Sequence, residues 1–327
     1  MSGFLIAYVK SMRLYYSFVT GIAGWIGVAY YDYIARGAPG RTTEVPAPTE
    51  KKLVILLLLF LSWGINQIIN DFLGLKEDRI NAPERPMVTG ELDARRAVLL
   101  SIVLLRGSCV VTYLYLEPIA FVSLLAGIVL NVVYEFAKAY GILANLVFGV
   151  MIAMAPLYGA YASGPTESTF LQPNRMSILA MIVVLNGLMT FYTYFKDFEG
   201  DRAAGKQTVV VKAGIRRARV WAILSAFLPT LTFAFVRVTG LHDAPLNPTF
   251  WILGLLTVFL QLWTGVLYYL QPTGERTYKS LLVNFRACAC GQATLIAIFD
   301  PDLSIWLFIF SYIFVGFLFE LHRNPRS

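Results

Sequence analysis

The chain has little charge. Of its 327 residues only 14% are Asp, Glu, Lys or Arg, against about a quarter in a soluble domain. With 57% hydrophobic residues and a mean hydropathy of +0.63, this points to a membrane protein. Histidine is nearly absent: His242 falls in a loop and His322 near the C-terminus, so neither is placed as a general base. The three cysteines, Cys109, Cys288 and Cys290, all lie in apolar stretches. Cys288 and Cys290, two apart, face different sides of a helix, so no disulfide framework or zinc site follows. No glycine-rich phosphate loop is present; Gly21, Gly24 and Gly27 form a small-residue face suited to close helix packing. Lys10 and Arg13 precede the first apolar stretch without a small-residue cleavage site, so that span is expected to be retained.

What the sequence does have is apolar runs, at about 14–35, 53–70, 97–115, 118–134, 141–161, 176–195, 217–236, 249–270, 281–299 and 303–320. In lipid each must satisfy its own backbone, which makes them helices. The expected fold is all-α: one domain over 1–327, a polytopic transmembrane bundle of nine or ten spans. The count turns on the short breaks at Glu117-Pro118 and Asp300-Pro301-Asp302.

Alternating the loops between two sides places Lys10, Arg13, the 72–96 loop, Lys138, the 196–219 segment, Arg323 and Arg326 together. The positive excess marks that side, with both termini, as cytoplasmic. Arg36, Arg41, Lys51 and Lys52 on the other side dilute the contrast. The net charge of +7 is thus explained by topology and an anionic substrate, and nucleic acid is not an expected partner.

Two loops on the basic side open with acids at the end of an apolar run. The first contains Asn66, Asn70, Asp71, Gly74, Glu77 and Asp78, followed by Arg79, Asn81 and Arg85; Asn66, Asn70, Gly74 and Asp78 share one helical stripe. The second contains Lys196, Asp197, Asp201, Arg202 and Lys206, with the two aspartates one turn apart. Hard oxygen donors at the mouth of an apolar bundle suit Mg2+, which binds few carboxylates and bridges substrate phosphates. Carboxylates beside a bilayer need paired charge or water and are functional candidates by default; the bland alternative is a pair of solvated, salt-bridged loops.

These residues resemble the UbiA superfamily of intramembrane prenyltransferases, whose first motif is Asn-Asp-x-x-Asp-x-x-x-Asp and whose second is Asp-x-x-x-Asp. Here the first reads Asn70-Asp71-x-x-Gly74-x-x-x-Asp78 and the second is complete as Asp197 and Asp201. The resemblance implies a helical bundle around a central cavity, capped by motif loops at about 70–96 and 196–216, with magnesium holding an isoprenyl diphosphate. It further implies a catalytic set of Asn70, Asp71, Asp78, Asp197 and Asp201. Of these, Asn70, Asp78, Asp197 and Asp201 would ligate metal, with Asp71 and Glu77 as substitutes. Arg13, Arg79, Lys138, Asn145, Lys196, Arg202 and Lys206 would contact substrate.

Gly74 departs from the motif, removing one carboxylate, and is similar to the UbiA-type terpene cyclases, which quench the cation intramolecularly. Cyclisation is therefore the preferred expectation, and transfer to an aromatic or quinone-precursor acceptor is the alternative. A transporter is the third reading, since Arg106 and Arg286 sit inside apolar runs; both are expected to be structural.

Overall fold

Lipid offers the backbone no partner, and the computed structural model answers with helices. Among the described residues, 2–37, 45–165, 172–241, 245–274 and 276–321, there is no strand. His242, His322, Arg41, Arg323 and Arg326 lie outside them.

The helices are α1 (Ser2–Met12), α2 (Ser17–Gly37), α3 (Thr49–Leu73), α4 (Leu75–Asn81), α5 (Pro86–Thr89), α6 (Ala94–Leu114), α7 (Ala120–Ala137) and α8 (Ile142–Ser163). They continue with α9 (Pro173–Lys196), α10 (Phe198–Ala203), α11 (Val209–Ala213), α12 (Ile215–Ser225), α13 (Leu228–Val238), α14 (Pro248–Leu270), α15 (Thr277–Ile296) and α16 (Pro301–Leu321). Local chemistry sets several starts. Asp93 and Asn247 cap α6 and α14 by accepting from the N–H of Arg96 and Phe250, and Pro86, Pro173 and Pro248 occupy first turns, where a missing N–H costs nothing.

Among the described residues, seven helices are long and apolar enough to cross a membrane: α3, α6, α7, α8, α9, α14 and α16; α12 with α13, bent by 40°, makes an eighth. The sequence leads one to expect nine or ten. The difference lies in α2 and α15, 21 and 20 residues long, which face protein instead of lipid and so need less apolar surface. In α15, Asn284 donates to the Met189 carbonyl at 2.9 Å and Gln292 to Asn186 Oδ1 at 3.1 Å, bonds that satisfy polar groups at membrane depth. Cys288 and Cys290 are buried and free.

α2, α8, α9 and α15 form the centre, with α3, α6, α7, α14 and α16 around them. Glycine permits the tightest contact: a Cβ on Gly27 would lie 1.9 Å from the Pro156 carbonyl oxygen, and one on Gly159 2.0 Å from that of Gly24. α2 and α8 therefore meet backbone to backbone, as the small-residue face suggests. An aromatic row spans the bundle: Tyr16 stacks on Trp63 at 5.2 Å, Trp63 meets Phe148 edge-on at 5.5 Å, and Phe148 meets Tyr134 at 5.2 Å. A small, partly open cavity of about 70 Å³ lies to one side, between α3, α6, α7 and α8.

Far along α3 from the acidic motifs, Lys51 pairs with Glu117 at 2.8 Å and Lys52 with Asp32. These pairs neutralise basic residues that blur the loop-charge asymmetry. Arg286 is structural, as expected: it donates to the Tyr312 carbonyl at 2.9 Å and stacks on that ring. Arg106 is exposed on α6.

Candidate functional site

Each motif is built the same way, as a long helix, one bent residue and a short helix. α3 passes through Gly74 (φ −96°, ψ 15°) into α4, and α9 passes through Asp197 (φ −90°, ψ 5°) into α10. Both residues occupy the bridge region of backbone space. The first stripe survives its bend, because Gly74 N–H donates to Asn70 O at 2.8 Å and Asp78 N–H to Gly74 O at 3.0 Å. In the second motif Asp201 N–H donates to Asp197 O at 2.9 Å, so these aspartates do stand one turn apart.

Asn81 joins the two short helices. Its amide donates to the Asp197 carbonyl at 3.1 Å and accepts from Gly200 N–H at 2.8 Å. A Cβ on Gly200 would fall 2.3 Å from that amide, which explains the glycine.

The charges then sort unevenly. Asp71, buried at the end of α3, accepts from Arg13, from Gln67 at 2.9 Å and from Arg85 at 3.4 Å. Arg85 also pairs with Asp78. Although burial opposes its charge, the carboxylates of Asp71, Asp78 and Asp197 hold the Arg85 guanidinium above its usual range. Burial likewise keeps the Asp78 carboxyl above the usual range in spite of Arg85. Arg13 adopts φ +48°, the one left-handed non-glycine backbone among the described residues, a strained geometry held by its bond to Asp71. A second chain of charge runs from Glu77 to Lys206 at 2.7 Å, Lys206 to Glu135 at 3.3 Å and Glu135 to Lys138 at 2.6 Å.

Asp197 and Asp201 have no ion pair among the described residues. Burial, then the neighbouring Asp197 and Glu77, push the Asp201 carboxyl up to about 7, against the pull of Lys138 and Lys206. The carboxylates of the first motif are thus paired, Asp71 and Asp78 with Arg13 and Arg85 and Glu77 with Lys206, whereas Asp197 and Asp201 of the second form no ion pair among the described residues.

Several sequence candidates do other work. Asn70 exchanges two hydrogen bonds with Asn131 of α7, at 3.1 and 3.0 Å. Asn145 is buried and donates to the Gly187 carbonyl at 3.0 Å, tying α8 to α9. Arg79, Lys196 and Arg202 are exposed at the rim and form no ion pair among the described residues. Glu135 and Asn131 escape a sequence reading, though Glu135 three residues before Lys138 in an apolar helix is a visible signal. Among the described residues, no three Asp, Glu, His or Cys side chains converge closely enough to hold a metal by themselves. The donors fit magnesium in part: Asp197 and Asp201 are hard, buried or half-buried and unpaired, whereas Asp78 must first leave Arg85. Substrate phosphates would complete such a shell.

A many-helix membrane bundle with two acidic motifs stapled at one end defines an integral, multi-pass membrane protein, and the comparisons agree with its class. The model of the UbiA prenyltransferase family matches residues 41–289, and the chain belongs to that family. It is similar to digeranylgeranylglyceryl phosphate synthase of Methanosarcina mazei, 26% identical over 247 residues, 74% of this chain and 84% of the relative. The enzyme of the same name from Pyrococcus horikoshii is 28% identical over 233 residues, 68% and 77% of the two chains. Among solved structures, a UbiA homolog from Archaeoglobus fulgidus bound to DMAPP and Mg2+ superposes with a TM-score of 0.62 at 18% identity, covering 88% of this chain and 98% of that one. Nothing in these likenesses singles out the terpene-cyclase branch.

Proposed function

We propose that the chain is a magnesium-dependent prenyltransferase that moves an isoprenyl group from its diphosphate to a lipid acceptor. The observation that carries this is the pair Asp197 and Asp201, which form no ion pair among the described residues while Lys138 and Lys206 act on Asp201 and Arg85 on Asp197, an arrangement suited to a metal diphosphate. Magnesium, when bound, supplies charge neutralisation of the leaving diphosphate; Asp197 and Asp201 would hold it, with Asp78, Asn70 or Glu77 recruited from the first motif. Lys206 and Lys138 take the phosphate charge that metal leaves over. The allylic C1–O bond breaks with its electron pair on the diphosphate, an acceptor oxygen bonds C1, and the acceptor's proton passes to the diphosphate. The row Tyr16, Trp63, Phe148 and Tyr134 excludes water and offers ring faces to the cation.

The relatives' names support transfer over the cyclisation that Gly74 suggested. They describe synthesis of a glycerol phosphate bearing two prenyl groups, which favours a lipid acceptor over an aromatic one. Gly74 has an ordinary negative φ, and a Cβ there would meet the Asn70 carbonyl at 3.1 Å and Glu77 Oε2 at 3.9 Å. It changes the count of carboxylates in the first motif.

The test incubates purified protein with Mg2+ and geranylgeranyl diphosphate, with and without extracted membrane lipid, and analyses products by mass spectrometry. A prenylated lipid formed only with the extract is expected. A cyclic hydrocarbon or alcohol formed without it would overturn transfer in favour of cyclisation.

A further inference from the structure

Lysines that take phosphate charge call for no carboxylate among them, yet one lies there, outside both motifs. Glu135 stands in the last turn of α7 and takes one lysine on each oxygen. Lys138 Nζ donates to Oε1 at 2.6 Å and Lys206 Nζ to Oε2 at 3.3 Å. The Glu135 side chain is 8% exposed, those of Lys138 and Lys206 19% and 18%. The acid is therefore the hidden member of the group, and the ammoniums that it holds are the ones a solute can reach.

The lysines have other contacts besides. Lys206 meets Glu77 at 2.7 Å, and Lys138 lies over the Tyr134 ring at 4.8 Å. What Glu135 adds is charge balance: Glu77, Lys206, Glu135 and Lys138 form a chain of two carboxylates and two ammoniums. A carboxylate shielded from water is stable only while it is paired in this way. A diphosphate draws on the same Nζ–H groups, since an ammonium donates and never accepts. It also brings negative charge beside Glu135, where water screens the repulsion poorly.

We infer that Glu135 stands in for the diphosphate: it holds Lys138 and Lys206 together before substrate arrives, gives them up to the substrate's phosphates, and takes them back when inorganic diphosphate leaves. The inference rests on the reading that these lysines take the phosphate charge, and adds to it a residue that opposes binding. Glu135 touches no reacting atom; it is a positioning residue that acts through the two lysines. Once displaced, it is a hidden carboxylate without a cation. The cost of that state loosens the hold on the leaving group, which two freely available lysines would keep.

The test measures binding of inorganic diphosphate with Mg2+ to the detergent-solubilised full-length protein by titration calorimetry, so that neither acceptor nor turnover is involved. Glu135→Gln keeps the shape of the side chain and removes its charge. Affinity should rise at least about tenfold, the scale of one like charge removed at short range, and KM for an isoprenyl diphosphate should fall with it. Unchanged or weaker binding overturns the inference; weaker binding is what a residue that merely steadies the lysines would give. Because Glu135→Gln leaves Lys138 without an acid, the pair is also removed together. Lys138→Gln alone should weaken binding at least about tenfold, and Glu135→Gln with Lys138→Gln should return it to within about threefold of the wild type. A double variant as weak as Lys138→Gln overturns the inference alone. Wild-type binding by Lys138→Gln shows instead that Lys138 takes no phosphate charge, and the reading beneath the inference falls with it.

Discussion

Asn81 of the first motif grips the backbone of the second, donating to Asp197 O at 3.1 Å and accepting from Gly200 N–H at 2.8 Å. One amide thereby sets the distance between the two acidic clusters.

Asn81→Ala is expected to unfasten α4 from α10 while the spans stay folded. The loss of two hydrogen bonds should cost about 1–3 kcal/mol locally. Amide exchange in 75–81 and 198–203 should accelerate, with a drop in turnover larger than the change in melting temperature.

Gly200→Ala attacks the same contact from the other side, since the new methyl would meet the Asn81 amide at 2.3 Å. Exchange over these residues should resemble that of Asn81→Ala, and the double variant should be no worse than either single one, as for groups acting as a unit.

Arg85 serves two buried acids, so Arg85→Met should leave Asp71 with Arg13 and Gln67 and Asp78 without its cation. Removing one partner from a buried network costs about 3–5 kcal/mol, read as a lower melting temperature in detergent. Arg79→Met, at the exposed rim, should change it by less than about 0.5 kcal/mol.

Asp201 gives a pH dependence whose sign runs opposite to that of a salt-bridged acid. Its carboxyl is raised from 3.8 to about 7 in the fold, so between these values the folded state holds a proton the unfolded state has lost. Stability of the metal-free protein should fall as pH rises from 4 to 7, and Asp201→Asn should flatten that slope. A bound divalent ion must displace the proton, so Mn2+ affinity should weaken about tenfold per pH unit below 7, and vanish in Asp197→Asn with Asp201→Asn.

The all-helical membrane fold and the motif carboxylates were legible because both are written locally, as runs of apolar residues and as acids where such runs end. Close packing of α2 was legible in the spacing of Gly21, Gly24 and Gly27, though not that α8 is the partner. The bonding partners were not. Asn131 and Glu135 come from α7, and only tertiary packing brings them to Asn70 and Lys206. Asn145, a substrate contact only by the resemblance, spends its amide N–H on the Gly187 carbonyl across two helices. The span count ran high because α2 and α15 are long but sheltered by protein, so their hydropathy no longer reports on lipid.

The glycine seam between α2 and α8 also divides the molecule mechanically. Where backbone touches backbone there is no side chain to yield, so those helices can neither slide nor rotate against each other without rupture. α6 is the opposite case, with only 22% of its apolar window buried. Side chains facing lipid can yield where touching backbones cannot, so thermal motion and lateral pressure from the bilayer fall on helices such as α6 and not on the seam.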